Sequence, residues 1–99
     1  MDSILYAVRA YLDLDGKPHL LEYCLLVEQG MPVRYGVSIG ERGGSCERVR
    51  DLTTRRERAE QVLSLLAQGV AAPVHLRDIV EDLLYYIGFS FFGRCAILL

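Results

Sequence analysis

Cysteine is scarce in this 99-residue chain, and its spacing excludes two common classes of small protein. Cys24, Cys46 and Cys95 are unevenly spaced and form no C-x-x-C pair. Neither a disulfide framework nor a zinc ribbon is therefore predicted, and a reducing compartment fits best. A thiol becomes a nucleophile only when the fold brings a base beside it, so we interpret all three as buried or incidental side chains.

Lysine is almost absent, and neither sign of charge is in excess. Lys17 accompanies ten arginines, and the formal net charge is −2. This balance gives no global field that would attract nucleic acid or an acidic membrane surface. Apolar residues make up 52% and charged residues 24%, as in ordinary globular chains. A single domain over residues 1–99 is therefore predicted.

The chain also lacks the patterns of a secretory leader and of a membrane span. Residues 1–4 have neither a basic region nor a small-residue cleavage site, so we expect a cytoplasmic protein. The run from Leu83 to Leu99 is strongly apolar but is interrupted by Gly88, Ser90 and Arg94. It is shorter than the ~20 apolar residues that cross a bilayer, and no membrane span is expected.

The first half of the chain predicts an antiparallel sheet. Every second residue between Ile4 and Leu14 is apolar, which indicates a half-buried strand with Tyr6, Val8, Ala10, Leu12 and Leu14 on its buried side. Asp15-Gly16 is typical of a tight hairpin turn. Alternating patterns predict further strands over 20–28 and 33–40, and the charged segment 46–52 predicts an edge strand.

The second half of the chain predicts two helices. Thr54 and Glu57 have the spacing of a capping box at a helix start, and Gly69 is placed to end that helix, with Val70 packing back on Leu65. A second helix follows residue 73, carries an apolar stripe at three- and four-residue steps, and is expected to close at residue 88. The stripe consists of Leu76, Ile79, Val80, Leu83, Leu84 and Ile87.

These elements define an α+β fold. An antiparallel sheet of three to four strands, in the order β-β-β-β, is followed by two helices packed on one of its faces. The apolar tail from Phe89 to Leu99 is expected to form a further strand or packed coil. No internal repeat is visible.

His75 and Asp78 are polar candidates with two interpretations. They lie three residues apart on the second helix, near Glu81 and Asp82, and could converge on a metal or act as an acid/base pair. We favour a structural role, in which His75 is the N-cap and Asp78 answers the positive helix end. No metal or other cofactor is therefore expected.

The segment from residue 48 to 58 is rich in arginine: it contains Arg48, Arg50, Arg55, Arg56 and Arg58. Such a patch could hold phosphates. It contains no aromatic residue for base stacking, however, and Glu47, Glu57 and Glu60 are close enough to pair with it. We therefore interpret the patch as an ion-paired surface and do not expect a nucleic-acid partner.

No catalytic constellation is visible. The glycine-rich segment 40–44 lacks the Lys-Ser/Thr ending of a P-loop, no G-x-S-x-G elbow is present, and His19 has no evident orienting partner. The apolar tail instead predicts a homodimer or protein interface. Its candidate interface residues are Tyr85, Tyr86, Phe89, Phe91, Phe92, Ile97 and Leu98.

Three segments resemble a family of small uncharacterised bacterial proteins. They are Tyr35-Gly36-Val37, Thr53-Thr54 and the stretch from Pro73 to Leu83, which contains His-Leu-x-Asp followed by Glu-Asp. The family pattern places its His-Leu-x-Asp element on His75, Leu76 and Asp78. The resemblance implies a bacterial, cytosolic setting and carries no catalytic or binding role, and the tail after residue 87 departs from the pattern.

Three functions follow in order of preference. The first is a non-enzymatic protein-interaction or regulatory module that forms a homodimer or binds a protein partner. The second is a small-molecule binder or enzyme with a cleft between sheet and helices, lined by His75, Asp78, Tyr23 or Tyr35. The third is a weak phosphate or nucleic-acid binder that uses the Arg48–Arg58 patch.

Overall fold

The computed structural model describes residues 1–86, with the backbone alone for 84–86. The strands are β1 (Asp2–Leu12), β2 (Pro18–Glu28), β3 (Arg34–Glu41) and β4 (Cys46–Thr53). They are followed by α1 (Arg56–Gln68), a 3-10 turn (Pro73–His75) and α2 (Leu76–Tyr86). The strands pair antiparallel in chain order, so β1 and β4 are the two edges of this sheet. The predicted α+β fold is confirmed; the expected tail strand lies outside the described residues.

Both helices pack on the same face of the sheet. Alternate residues of β2 and β3 supply its half of the core: Leu21, Tyr23, Leu25, Val27, Val37 and Ile39. The helices supply the other half: Ala59, Val62, Leu63, Leu66 and Ala67 from α1, and Leu76, Val80 and Leu83 from α2. The buried side of each of these elements is therefore the one that its periodicity predicts, with a period of two in the strands and of three to four in the helices.

The strand β1 differs from its prediction. Leu5, Val8 and Leu12 are 55%, 38% and 70% exposed, and the strand is not half-buried on its apolar side. A register shift between Leu5 and Ala7 breaks the alternation. Ala7 and Tyr11 are the β1 residues that pack against the core. Val8, Ala10 and Leu12 of the predicted apolar side lie on the face that neither helix covers, whereas Leu14 lies beyond the end of β1.

The start of α1 also differs from its prediction. The N-cap is Arg55, which makes no side-chain capping bond, and the Thr54/Glu57 capping box does not form. The backbone N–H of Arg55 donates instead to Oγ1 of Thr53, 3.0 Å away. Glu57 forms an ion pair with the guanidinium of Arg55, with 3.3 Å between Oε1 and Nε. Thr53 is buried at the end of β4, and its hydroxyl makes the contact at the helix start that was predicted for Thr54.

The end of α1 is a Schellman motif shifted by one residue from the expected glycine. The N–H of Val70 donates to the carbonyl of Ala67 at 3.2 Å, and the N–H of Ala71 donates to that of Leu66 at 3.0 Å. The left-handed position belongs to Val70, with φ +50°, whereas Gly69 is right-handed at φ −84°. A β-branched residue in this conformation is strained.

Gly36 fixes the contact between β3 and β4. The pairing of these strands shifts between Tyr35 and Val37, and Asp51 in β4 has φ +52°. The backbone of β4 passes so close to Gly36 that a Cβ at this position would overlap the carbonyl oxygen of Val49. Only glycine allows this approach.

Candidate functional site

The face of the sheet opposite the helices carries an apolar stripe along β1. Leu5 pairs with Cys24, Val8 with Glu22 and Leu12 with Pro18. Directly paired residues share a face, so these three β1 side chains stand side by side on the uncovered face. No helix of residues 1–86 lies over them, because both helices contribute to the core on the other side. We call Leu5, Val8 and Leu12 the β1 stripe.

The charges beside the stripe are paired with one another. Nη2 of Arg42 lies 3.3 Å from Oε2 of Glu22, and Nη2 of Arg50 lies 3.1 Å from Oε1 of Glu28. Both glutamates lie on β2 and face the same side as Cys24, between their two strand neighbours. The uncovered face therefore combines an apolar strip with two ion pairs and the side chain of Arg48.

A furrow of about 240 Å³ crosses the uncovered face between β2 and β4. Its wall includes Cys24, Leu26, Ser38, Cys46 and Arg48. Cys24 is half-buried and Cys46 is exposed, and both thiols are free. The wall contains no histidine among the described residues, so no imidazole is placed here to activate a thiol. Cys95 lies outside the described residues.

Arg50, Arg55 and Arg56 of the arginine-rich segment form ion pairs, whereas Glu47 pairs with Arg77 outside it. Nε of Arg56 lies 3.7 Å from Oε2 of Glu60, one helical turn away, and the Arg55 side chain is held by Glu57. Arg50 belongs to the β2 pair described above. These pairs engage the guanidinium groups that phosphates would need.

His75 and Asp78 come together, but not through the predicted cap. The residue before the 3-10 turn is Ala72, no side chain caps the turn, and His75 is its last residue. Asp78 lies in the first turn of α2, where its charge suits the positive helix end. Both side chains are exposed at the mouth of a cleft between α1 and α2. The N-cap prediction is wrong because Pro73 begins a 3-10 turn ahead of the helix.

The two tyrosines proposed as cleft lining lie elsewhere. Tyr23 is fully buried, and its hydroxyl donates to the carbonyl of Ala71 at 2.8 Å. Burial raises the pKa of this hydroxyl. Tyr35 is half-buried at the Thr53 end of the sheet, where β3 pairs with β4. Among the residues whose side chains are described, the tyrosine that lines the cleft is Tyr11.

A polar cluster around His19 was not expected from the sequence. The imidazole Nε2 lies 2.8 Å from Oδ2 of Asp13, and Nδ1 lies 3.2 Å from Oε2 of Glu41. The ring stacks on Tyr11 with 4.8 Å between centroids, and the Tyr11 hydroxyl donates to Oε1 of Glu41 at 3.4 Å. The available signal was the hairpin register, which pairs Tyr11 with His19.

The pKa values of this cluster are shifted by its hydrogen bonds. Hydrogen bonding to Asp13 and then to Glu41 raises the pKa of His19, against some desolvation. Hydrogen bonds from His19 and from the Lys17 backbone lower the pKa of Asp13. Desolvation and the neighbouring Glu41 raise the pKa of Tyr11. The cluster is therefore a charged clamp that joins the β1–β2 hairpin to the end of β3.

The aromatic interface predicted for the tail falls mostly outside the described residues. For Tyr85 and Tyr86 the structure describes only the backbone, which belongs to α2, and it describes nothing of Phe89, Phe91, Phe92, Ile97 or Leu98.

Within the part of the chain that is described, no three acidic, histidine or cysteine side chains are arranged to hold a metal ion. In the same range, no helix has the length and apolar character required to cross a bilayer.

Comparison with known proteins identifies a family. A model described as a family of unknown function (DUF6514) matches residues 4–85. The chain belongs to DUF6514. The matched region contains nearly all of β1, the other three strands, α1 and nearly all of α2, and residues 86–99 of this DUF6514 chain fall beyond it. Searches of curated proteins and of solved structures found no match.

Proposed function

We propose that this DUF6514 protein is a non-enzymatic interaction module that binds a second copy of itself through the β1 stripe. The observation that carries the proposal is the placement of Leu5, Val8 and Leu12, three exposed apolar side chains on a face against which no helix of residues 1–86 packs. Contiguous exposed apolar side chains on a small domain are typical of an interaction site.

A second copy suits this face because of its charge. A twofold contact places the same surface against itself, so a surface with excess charge of one sign would repel its partner. The pairs Glu22–Arg42 and Glu28–Arg50 neutralise the border of the stripe. Two such sheets stacked face to face would bury both stripes between outer layers of helices.

The proposal is tested by sedimentation equilibrium of the full chain. We expect twice the chain mass at micromolar concentration, and a dissociation constant at least about tenfold weaker for Leu5→Glu or Leu12→Glu, since a buried Leu contributes about 1.5–3 kcal/mol. Leu14→Glu and Met31→Glu are matched controls, because both side chains are fully exposed in turns. They should leave the dissociation constant unchanged.

A monomeric mass at several hundred micromolar would contradict the proposal. So would a dimer that Leu5→Glu and Leu12→Glu weaken no more than the two controls do, because the contact would then lie away from the stripe. Circular dichroism of each variant establishes that the fold is retained.

A further inference from the structure

A cleft of about 570 Å³ lies between the end of α1 and the start of α2, on the opposite side of the sheet from the β1 stripe. This volume falls within the roughly 300–1,000 Å³ typical of small-molecule sites. Its wall is predominantly apolar and includes Leu65, Leu66, Val70, Ala71 and Ile79. Three polar residues, Tyr11, His75 and Asp78, complete it.

Two of these polar groups have no partner in the described part of the chain. The side chains of His75 and Asp78 take part in no hydrogen bond or ion pair among residues 1–86. They stand three residues apart around the start of α2, so both reach the same side of the cleft. Tyr11 is different, because its hydroxyl is already committed to Glu41 and it offers the cleft mainly its ring.

The charged side chain in the described wall of the cleft is the carboxylate of Asp78. No lysine or arginine belongs to the described wall. Arg9, two residues before Tyr11, directs its guanidinium to the carbonyls of Ala67 and Val8. An ammonium group donates hydrogen bonds to a carboxylate and is attracted to the face of an aromatic ring. The apolar wall would receive a hydrocarbon body attached to such a head.

We propose that this cleft binds a small primary amine with an aromatic or aliphatic body. Asp78 receives the ammonium group, His75 and the ring of Tyr11 flank it, and the wall formed by Leu65 and Ile79 covers the body. The site is separate from the β1 stripe and does not depend on self-association.

The test is an NMR titration of the full chain with phenethylamine. Two probes of matched shape, 2-phenylethanol and 3-phenylpropionate, carry a neutral and an anionic head. We expect saturable shifts at Leu65, Val70, His75 and Ile79 with the amine, weaker binding of the alcohol, and none of the carboxylate. Asp78→Asn should weaken amine binding about tenfold.

Asp82→Asn is the matched control, because Asp82 is an exposed carboxylate one turn further along α2 and lies outside the cleft wall. It should leave the affinity unchanged. Leu65→Lys, at a half-exposed position of the wall, should abolish binding without unfolding the domain. Equal binding of the three probes, equal effects of the two aspartate variants, or shifts confined to residues 87–99 would each overturn the proposal.

Discussion

The imidazole Nε2 of His19 lies 2.8 Å from Oδ2 of Asp13, across the turn that joins β1 to β2. On its other side the ring meets Glu41, so both nitrogens face carboxylates and the doubly protonated imidazolium is favoured. The raised pKa of His19 and the lowered pKa of Asp13 therefore make the stability of the fold depend on pH.

The clamp predicts a stability maximum at mildly acid pH. A raised pKa for His19 stabilises the fold below the unfolded value, near 6.5, and that contribution is lost as pH rises through the folded value. A lowered pKa for Asp13 stabilises above about 4, and that contribution is lost as pH falls through the folded value. Both contributions are therefore complete between about pH 4 and 6.5.

Urea unfolding of the wild type and of His19→Gln across pH 3–9 measures the effect. The difference in free energy of unfolding should be largest within that window and should decline on both sides. When both proteins also carry Asp13→Asn, the difference in free energy of unfolding between them should lose most of its pH dependence. A difference that stays constant with pH would show that His19 contributes through packing against Tyr11 alone.

Val70→Gly should stabilise the domain by about 1 kcal/mol. The left-handed conformation costs a residue with a Cβ about 1–2 kcal/mol, and glycine adopts it freely, although some packing of the valine is lost. Val70→Ala is the matched control, since alanine keeps the Cβ and hence the strain, and it should not stabilise. Chemical denaturation of the three proteins decides; equal stability of the Gly and Ala variants would contradict the strain argument.

Gly36→Ala should destabilise by about 3 kcal/mol or prevent folding, because the added methyl group meets the carbonyl of Val49, which the bulged pairing of β3 and β4 holds in place. Gly40→Ala lies on the same strand and face, but its added carbon comes no closer than 3.8 Å to Sγ of Cys46. It should change the unfolding free energy by less than about 1 kcal/mol. Similar losses in both variants would mean that flexibility of β3, rather than this contact, is at stake.

Tyr23→Phe should cost about 1–2 kcal/mol, because it removes the hydroxyl that satisfies the carbonyl of Ala71 inside the core. Tyr35→Phe tests a hydroxyl that makes no hydrogen bond within residues 1–86, and it should cost less than about 0.5 kcal/mol. Equilibrium unfolding of the two variants compares them directly. A loss for Tyr35→Phe as large as that for Tyr23→Phe would contradict this assignment.

The sequence predicted those parts of the fold in which a local pattern and its environment agree. The alternation in β2 and β3 identified the core because the helices cover that side. The same kind of pattern in β1 was assigned to the wrong environment, because periodicity identifies an apolar side but not whether anything packs on it. Only the position of the helices supplies that information.

The sites were harder to predict than the elements. His75 and Asp78 are three residues apart in sequence, so their proximity on a helix followed from its period. The partners of His19 did not, since Glu41 reaches it only through the register of β2 with β3. The ends of α1 were predicted to within one residue, but the capping atoms depended on where the chain leaves β4 and on Val70.

In the proposed dimer, the placement of the β1 stripe would also limit how far association can proceed. The other edge strand, β4, is charged at Glu47, Arg48, Arg50 and Asp51, which discourages further strands from joining it. The β1 stripe lies on one side of the sheet, so in the proposed dimer each copy would cover the stripe of the other. Assembly through this surface would therefore end with a closed pair.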